Sequence, residues 1–114
     1  MKRDMDLIRK ILLAIEAHPD YGKWDVPLAF EGYSEEMLNY HLTLLLEAGL
    51  IEAKKGHERW IANGLTWAGH EFLEASRDDS RWEKVKRLVL EKTGSLSFEM
   101  IKLALIEAMK SSLA

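Results

Sequence analysis

The stretch from Ser34 to Ala62 constrains this chain more than any other. Ser34 is followed by Glu35 and Glu36, then by Leu38, His41, Leu42 and Leu45 on one stripe. A serine able to accept a backbone N–H, two acids at the positive end of the helix dipole and an apolar i, i+3/i+4, i+7 stripe predict a helix over 34–48. Gly49 ends it in the left-handed conformation that glycine tolerates, with Leu50 folding back as the apolar partner of that cap. Leu50–Ala53 then predicts a short strand and Lys54-Lys55-Gly56-His57-Glu58 a polar hairpin tip. Arg59–Ala62 is the return strand, closed by Asn63-Gly64. A leucine-rich helix that stops at glycine and feeds a β-hairpin has the element order of a winged helix, a helix-turn-helix variant whose recognition helix enters the major groove.

The flanking segments predict more helix. Asp4 caps a first helix to about His18, with Ile8, Ile11, Leu12 and Ile15 buried and Pro19 opposing continuation. Residues 19–33 lack helical periodicity, so the helix that normally precedes a recognition helix is missing or shortened; Pro27 limits Trp24–Phe30 to an edge strand at best. Thr66 caps a helix from Trp67 to about Ser76, with Phe72 and Leu73 in the core. Ser80-Arg81-Trp82-Glu83 matches a capping box for a helix to about Lys92 that buries Trp82, Val85 and Val89. Thr93-Gly94-Ser95 breaks the chain, and Ser97 opens a last helix to about Lys110. The expected fold is mainly α with a small β-hairpin wing (α+β): a winged helix-turn-helix-like domain over 1–77 and a C-terminal helical extension, 78–114, packed on the same domain. The four tryptophans, Trp24, Trp60, Trp67 and Trp82, are expected core anchors.

Composition narrows the function classes. At 114 residues the chain suits one domain, and 47% apolar content is enough for a real core. The absence of cysteine excludes disulfides, thiolate metal sites and a cysteine nucleophile. No secretory signal pattern and no apolar run near the ~18 residues of a membrane span are found, so the expectation is a cytoplasmic protein without membrane contact. The net charge of −3 runs against the basic balance common in small DNA-binding domains.

Several blocks occurring in order also resemble an uncharacterised bacterial and phage family, DUF2513: Met1 through Arg9, Gly32-Tyr33-Ser34-Glu35-Glu36, Glu47-Ala48-Gly49-Leu50-Ile51 and Leu65-Thr66-Trp67-Ala68-Gly69-His70-Glu71-Phe72-Leu73. The resemblance runs from Met1 to about Lys86. It implies a winged-helix-like fold and a phage or prophage setting, and it supplies no catalytic residues.

Two binding roles compete. For duplex DNA, a helical wheel places Asn39, Tyr40 and Thr43 on the outer face of helix 34–48, where they can hydrogen-bond base edges or phosphates. Lys54, Lys55, His57 and Arg59 of the wing can reach phosphates alongside. Against it, 34–48 holds no lysine or arginine while Glu35, Glu36 and Glu47 repel phosphate, so the affinity would come from the wing and from the basic stretch 80–93. Each of these groups also reads as an ordinary solvated surface. For a protein partner, the acidic face of 34–48 is a docking surface, and the last helix carries apolar residues on two sides. Phe98, Ile101, Leu105 and Met109 form one stripe, and Met100, Leu103 and Ala104 lie largely on the other. A homodimer with this helix at its seam, or a helix central to its own fold, satisfies that pattern equally.

Nothing points to catalysis. His18, His41, His57 and His70 lack ligand spacing, and His41 reads as a packed core histidine. His70-Glu71-Phe72-Leu73-Glu74 places Glu74 where a zinc-protease motif needs its second histidine. No phosphate loop, nucleophile elbow or acid–base pair stands out. The expectation is a non-enzyme with no cofactor and no metal.

Overall fold

The first helix, α1 (Met5–Ala17), starts where the sequence places it. The Asp4 carboxylate accepts the Leu7 N–H at 3.1 Å, satisfying one of the amides that a helix start leaves unpaired. Ile8, Ile11, Leu12 and Ile15 are buried as expected, joined by Met5 and Leu7. The computed structural model describes residues 1–18 and 28–113. The expected edge strand over 24–30 therefore lies mostly outside the described residues, and Leu28–Phe30 belong to no helix or strand.

The second helix, α2 (Glu35–Glu47), is capped by the Ser34 hydroxyl on the Met37 N–H at 3.1 Å. Its C-terminus is a Schellman turn. Gly49, at φ 72°, donates to the Leu46 carbonyl, and Leu50 donates to Leu45 O, both at 3.0 Å. The chain leaves this turn directly as β1 (Ile51–Lys55), which pairs antiparallel with β2 (Trp60–Leu65). Both strands are longer than the sequence suggests. The tip shrinks to Gly56–Arg59, closed by the Gly56 N–H on Arg59 O at 2.8 Å. Asn63-Gly64 lies inside β2 and does not close it: Glu52 pairs with Gly64 and Ala53 with Ala62, so Asn63 is the extra residue of a β-bulge.

Next comes α3 (Trp67–Ser76), whose Thr66 cap ties it to the corner after α2. The Thr66 hydroxyl donates to Gly49 O at 2.6 Å and accepts the Gly69 N–H at 3.0 Å, while the Thr66 N–H reaches Leu50 O at 3.1 Å. At Gly69 a Cβ would fall on the Leu50 carbonyl oxygen, so only glycine permits this approach.

Then α4 (Asp79–Thr93) and α5 (Phe98–Leu113) complete the chain. Ser80 is not the cap of α4: Asp78 accepts the Arg81 N–H at 2.7 Å and starts the helix earlier, leaving Ser80 within its first turn. A carboxylate is at least as good a cap as a hydroxyl, and Asp78 sits in the extended conformation that a cap requires. Gly94 ends α4 at φ 78°. The final helix continues past Lys110 to Leu113.

Among the described residues this is a mainly helical α+β fold with five helices and one two-stranded antiparallel sheet. The chain divides into two compact units, Met1–His70 and Glu71–Ala114. In the first, α1 packs on α2 and β2, and α2 packs on both strands. In the second, α4 packs on α5, and Phe72 meets Trp82 edge-on and stacks on Phe98 at 5.0 Å between ring centroids. Of the tryptophans expected in the core, Trp82 is buried, Trp60 is half-buried and Trp24 lies outside the described residues. Trp67 is 81% exposed and is no core anchor. It is the first residue of α3, on the side that the glycine contact leaves in solvent.

Candidate nucleic-acid interface

The hairpin end gathers the cationic candidates. Lys54, Lys55, His57 and Arg59 are all exposed, because the apolar alternation of β1 stops after Ile51 and Ala53 and the strand runs beyond the core. Lys55 faces its cross-strand partner Trp60, with Nζ 5.8 Å from the ring centroid. Such an arrangement lets an ammonium rest on an aromatic face and still point outward. Glu58 at the turn is the acid among these residues.

The candidates on α2 are placed differently. Asn39, Tyr40 and Thr43 are half-buried, whereas the exposed positions of that helix include Glu35, Glu36 and Glu47. Asn39 does structural work: its Oδ1 accepts the Trp60 backbone N–H at 2.8 Å and fastens the start of β2 to α2. Thr43 donates to the Asn39 carbonyl at 3.0 Å, and Tyr40 lies edge-on to His41 at 5.5 Å. The helical wheel locates the outer face of α2 but carries no information about a hairpin folding back onto it. That is why the sequence reading missed the Asn39 bond.

Between the first turns of α2 and the hairpin tip lies a cleft of about 650 Å³. Leu28, Leu38, Leu42 and Ile61 supply apolar lining, and Glu35, Glu36, His57, Glu58 and Arg59 supply charged or polar groups. Sequence spacing brings none of these pairs together, since α2 and the tip are joined only by the hairpin fold.

Behind α2 sits a polar cluster. His41 has no exposed surface. Its Nε2 accepts the Asp4 N–H at 2.8 Å, and its Nδ1 faces the Met37 carbonyl at the same distance. An amide N–H only donates and a carbonyl only accepts, so the ring is the neutral Nδ1–H tautomer. The Asp4 carboxylate, besides capping α1, accepts the Tyr33 hydroxyl at 3.3 Å. Loss of solvation, and then the Asp4 charge and hydrogen bond, push the Tyr33 phenol above its ordinary value of 10.0. The cluster joins the start of α1, the entry to α2 and α2 itself, and its histidine has no route to solvent.

The expected seam residues also separate. Ile101 and Leu105 have no exposed surface and face the interior of the second unit, so they are not seam residues, while Phe98 is half-buried and stacked on Phe72. Met109 is half-buried, while Met100 and Leu103 are exposed. Ile106 and Leu113 are exposed as well, and the sequence reading had not assigned them. Among the described residues no group of three histidine or acidic side chains is arranged to hold a metal ion, and no helix is long and apolar enough to cross a membrane.

Comparison with known proteins places this geometry in a family. The family model described as "Hypothetical protein (DUF2513)" matches residues 2–95, which spans α1 through α4. An uncharacterized protein of Haemophilus influenzae is 41% identical over 106 residues, covering 90% of each chain. No solved structure matches the chain. A match over most of the chain, together with a relative this similar along nearly its whole length, means that the chain belongs to the uncharacterised family DUF2513.

Proposed function

We propose that this chain is a non-catalytic, winged-helix-like binding protein that holds the phosphate backbone of duplex DNA on its β1–β2 hairpin. In this reading it works in the cytoplasm in a transcription-regulatory role, in the phage or prophage setting that the sequence resemblance implies. The observation that carries the proposal is the exposure of Lys54, Lys55, His57 and Arg59 together at one end of the hairpin. Phosphate contacts set most non-specific affinity, and long basic side chains on a projecting hairpin suit them. Asn39 is engaged with Trp60 and the exposed α2 face is acidic, so the reading gives α2 a minor part in base readout. The expected binding is weak, little dependent on sequence and steep in salt.

Fluorescence anisotropy with a random duplex tests it. Three permanent cations on phosphate predict a log–log salt slope of about −2.7 between about 50 and 200 mM salt. No binding at the lower salt removes DNA from the account.

A second reading is favoured by one specific observation: in the cleft beside the hairpin three acids, Glu35, Glu36 and Glu58, outnumber the one permanent cation, Arg59. That balance suits a basic segment of a protein partner. Glu36→Lys separates the two readings. It strengthens DNA binding where α2 lies near phosphate, and leaves DNA binding unchanged while weakening a basic peptide where α2 faces protein.

A further inference from the structure

The last helix keeps one apolar stripe for its own unit and turns a second one to solvent. Ile101 and Leu105 define the buried side. At 100° per residue, Glu99, Leu103, Ile106, Lys110 and Leu113 form a row centred about 140° around the helix from that side, spaced 4, 3, 4 and 3 residues apart. That is the spacing of a coiled-coil seam. Leu103 is 56% exposed, Ile106 38% and Leu113 89%. Exposed apolar residues scattered singly need no explanation, but a seam-spaced row of them does.

Charge order along the row points to what covers it. From these observations we infer that α5 pairs with α5 of a second copy, antiparallel, about a two-fold axis midway between residues 104 and 105. In that register Leu103 of each chain shares a layer with Ile106 of the other, and Glu99 shares one with Lys110. The row is therefore complementary to itself in both shape and charge, as a two-fold interface requires. A parallel pair would set Glu99 against Glu99 and Lys110 against Lys110, which is repulsive at both ends. The helix spans 16 residues, about 24 Å, so the seam is at the small end of specific interfaces and gives a concentration-dependent dimer. The inference concerns a different surface from the hairpin and does not rest on DNA binding.

Sedimentation of the full chain over a concentration series tests it. The mass is expected to rise from 13.1 kDa toward twice that value. Leu103→Glu with Ile106→Glu should raise the dissociation constant about tenfold or more, with far-UV circular dichroism showing the fold intact. Glu99→Lys alone and Lys110→Glu alone should each weaken the dimer, and the two together in one chain should restore it. A chain that stays at 13.1 kDa at every concentration overturns the inference. So does a dimer that ignores the paired glutamates. Failure of the double charge exchange to restore association overturns the antiparallel register. Should the paired glutamates unfold the chain, mixing Glu99→Cys chains with Lys110→Cys chains decides the matter. The chain has no native cysteine, and antiparallel pairing predicts a mixed disulfide with little of either self-linked product.

Discussion

The two ends of the β1–β2 hairpin are built in different ways. At the base, the Schellman turn at Gly49, the bidirectional Thr66 hydroxyl and the side-chain-free approach of Gly69 to Leu50 tie the backbone at one corner. Leu50, Ile51, Ala62 and Leu65 are buried around it. At the tip, Lys54, Lys55, His57 and Arg59 stand in solvent; the Asn39 bond to Trp60 ties the start of β2 back to α2, while the Lys55–Trp60 contact runs across the two strands. The difference separates two kinds of residue. Substitutions at the base should be read as stability, and substitutions at the tip as binding.

The largest effect is expected at the base. Gly69→Ala forces the start of α3 away from Leu50 and should cost about 3 kcal/mol, visible as a lower urea midpoint. A loss under about 0.5 kcal/mol would mean that the corner is not rigid. His41→Leu comes next. It leaves the Asp4 N–H without the ring nitrogen that accepts it, for about 2 kcal/mol by the same measurement. Asn39→Leu acts between base and tip. It orphans the Trp60 N–H, costs about 1 kcal/mol and should speed amide exchange in β2 more than in α1.

A smaller effect is confined to alkaline pH. The Tyr33 phenol is held protonated in the folded state above its unfolded value of 10.0. Its contribution is therefore fully present below pH 10 and lost as pH rises through the folded value, because only the unfolded chain releases the proton in between. The stability difference between wild type and Tyr33→Phe should be flat near neutrality and shrink above pH 10. A difference that grows there would reverse the assignment. Lys54→Ala with Lys55→Ala should change stability by less than about 0.5 kcal/mol, since both side chains are exposed.

What was legible in the sequence follows the same division. Local chemistry announced itself: Asp4 and Ser34 as caps, Gly49 as a left-handed stop, Thr93-Gly94-Ser95 as a break, and the helical stripes of α1, α2 and α4 all depend on neighbours within a few residues. Long-range partners did not. The bulge at Asn63 depends on how β1 and β2 slide past each other, and strands of five and six residues are too short for alternation to fix the register. Asn39 looked like a free surface amide because its partner is 21 residues away. The two apolar sides of α5 were visible, but the choice between Ile101 or Leu105 and Ile106 required knowing which side α4 covers. For α4, two capping residues stood close together, Asp78 and Ser80, and the motif-bearing one was the wrong choice.

In the proposed function the hairpin tip carries binding while the base carries the fold. The slope of duplex-DNA affinity against salt, measured by anisotropy for wild type and for Lys54→Ala with Lys55→Ala, tests it most directly. Weaker binding and a slope shallower by about 1.8 are expected in the variant, with an unchanged urea midpoint. An identical slope in the two proteins would contradict it.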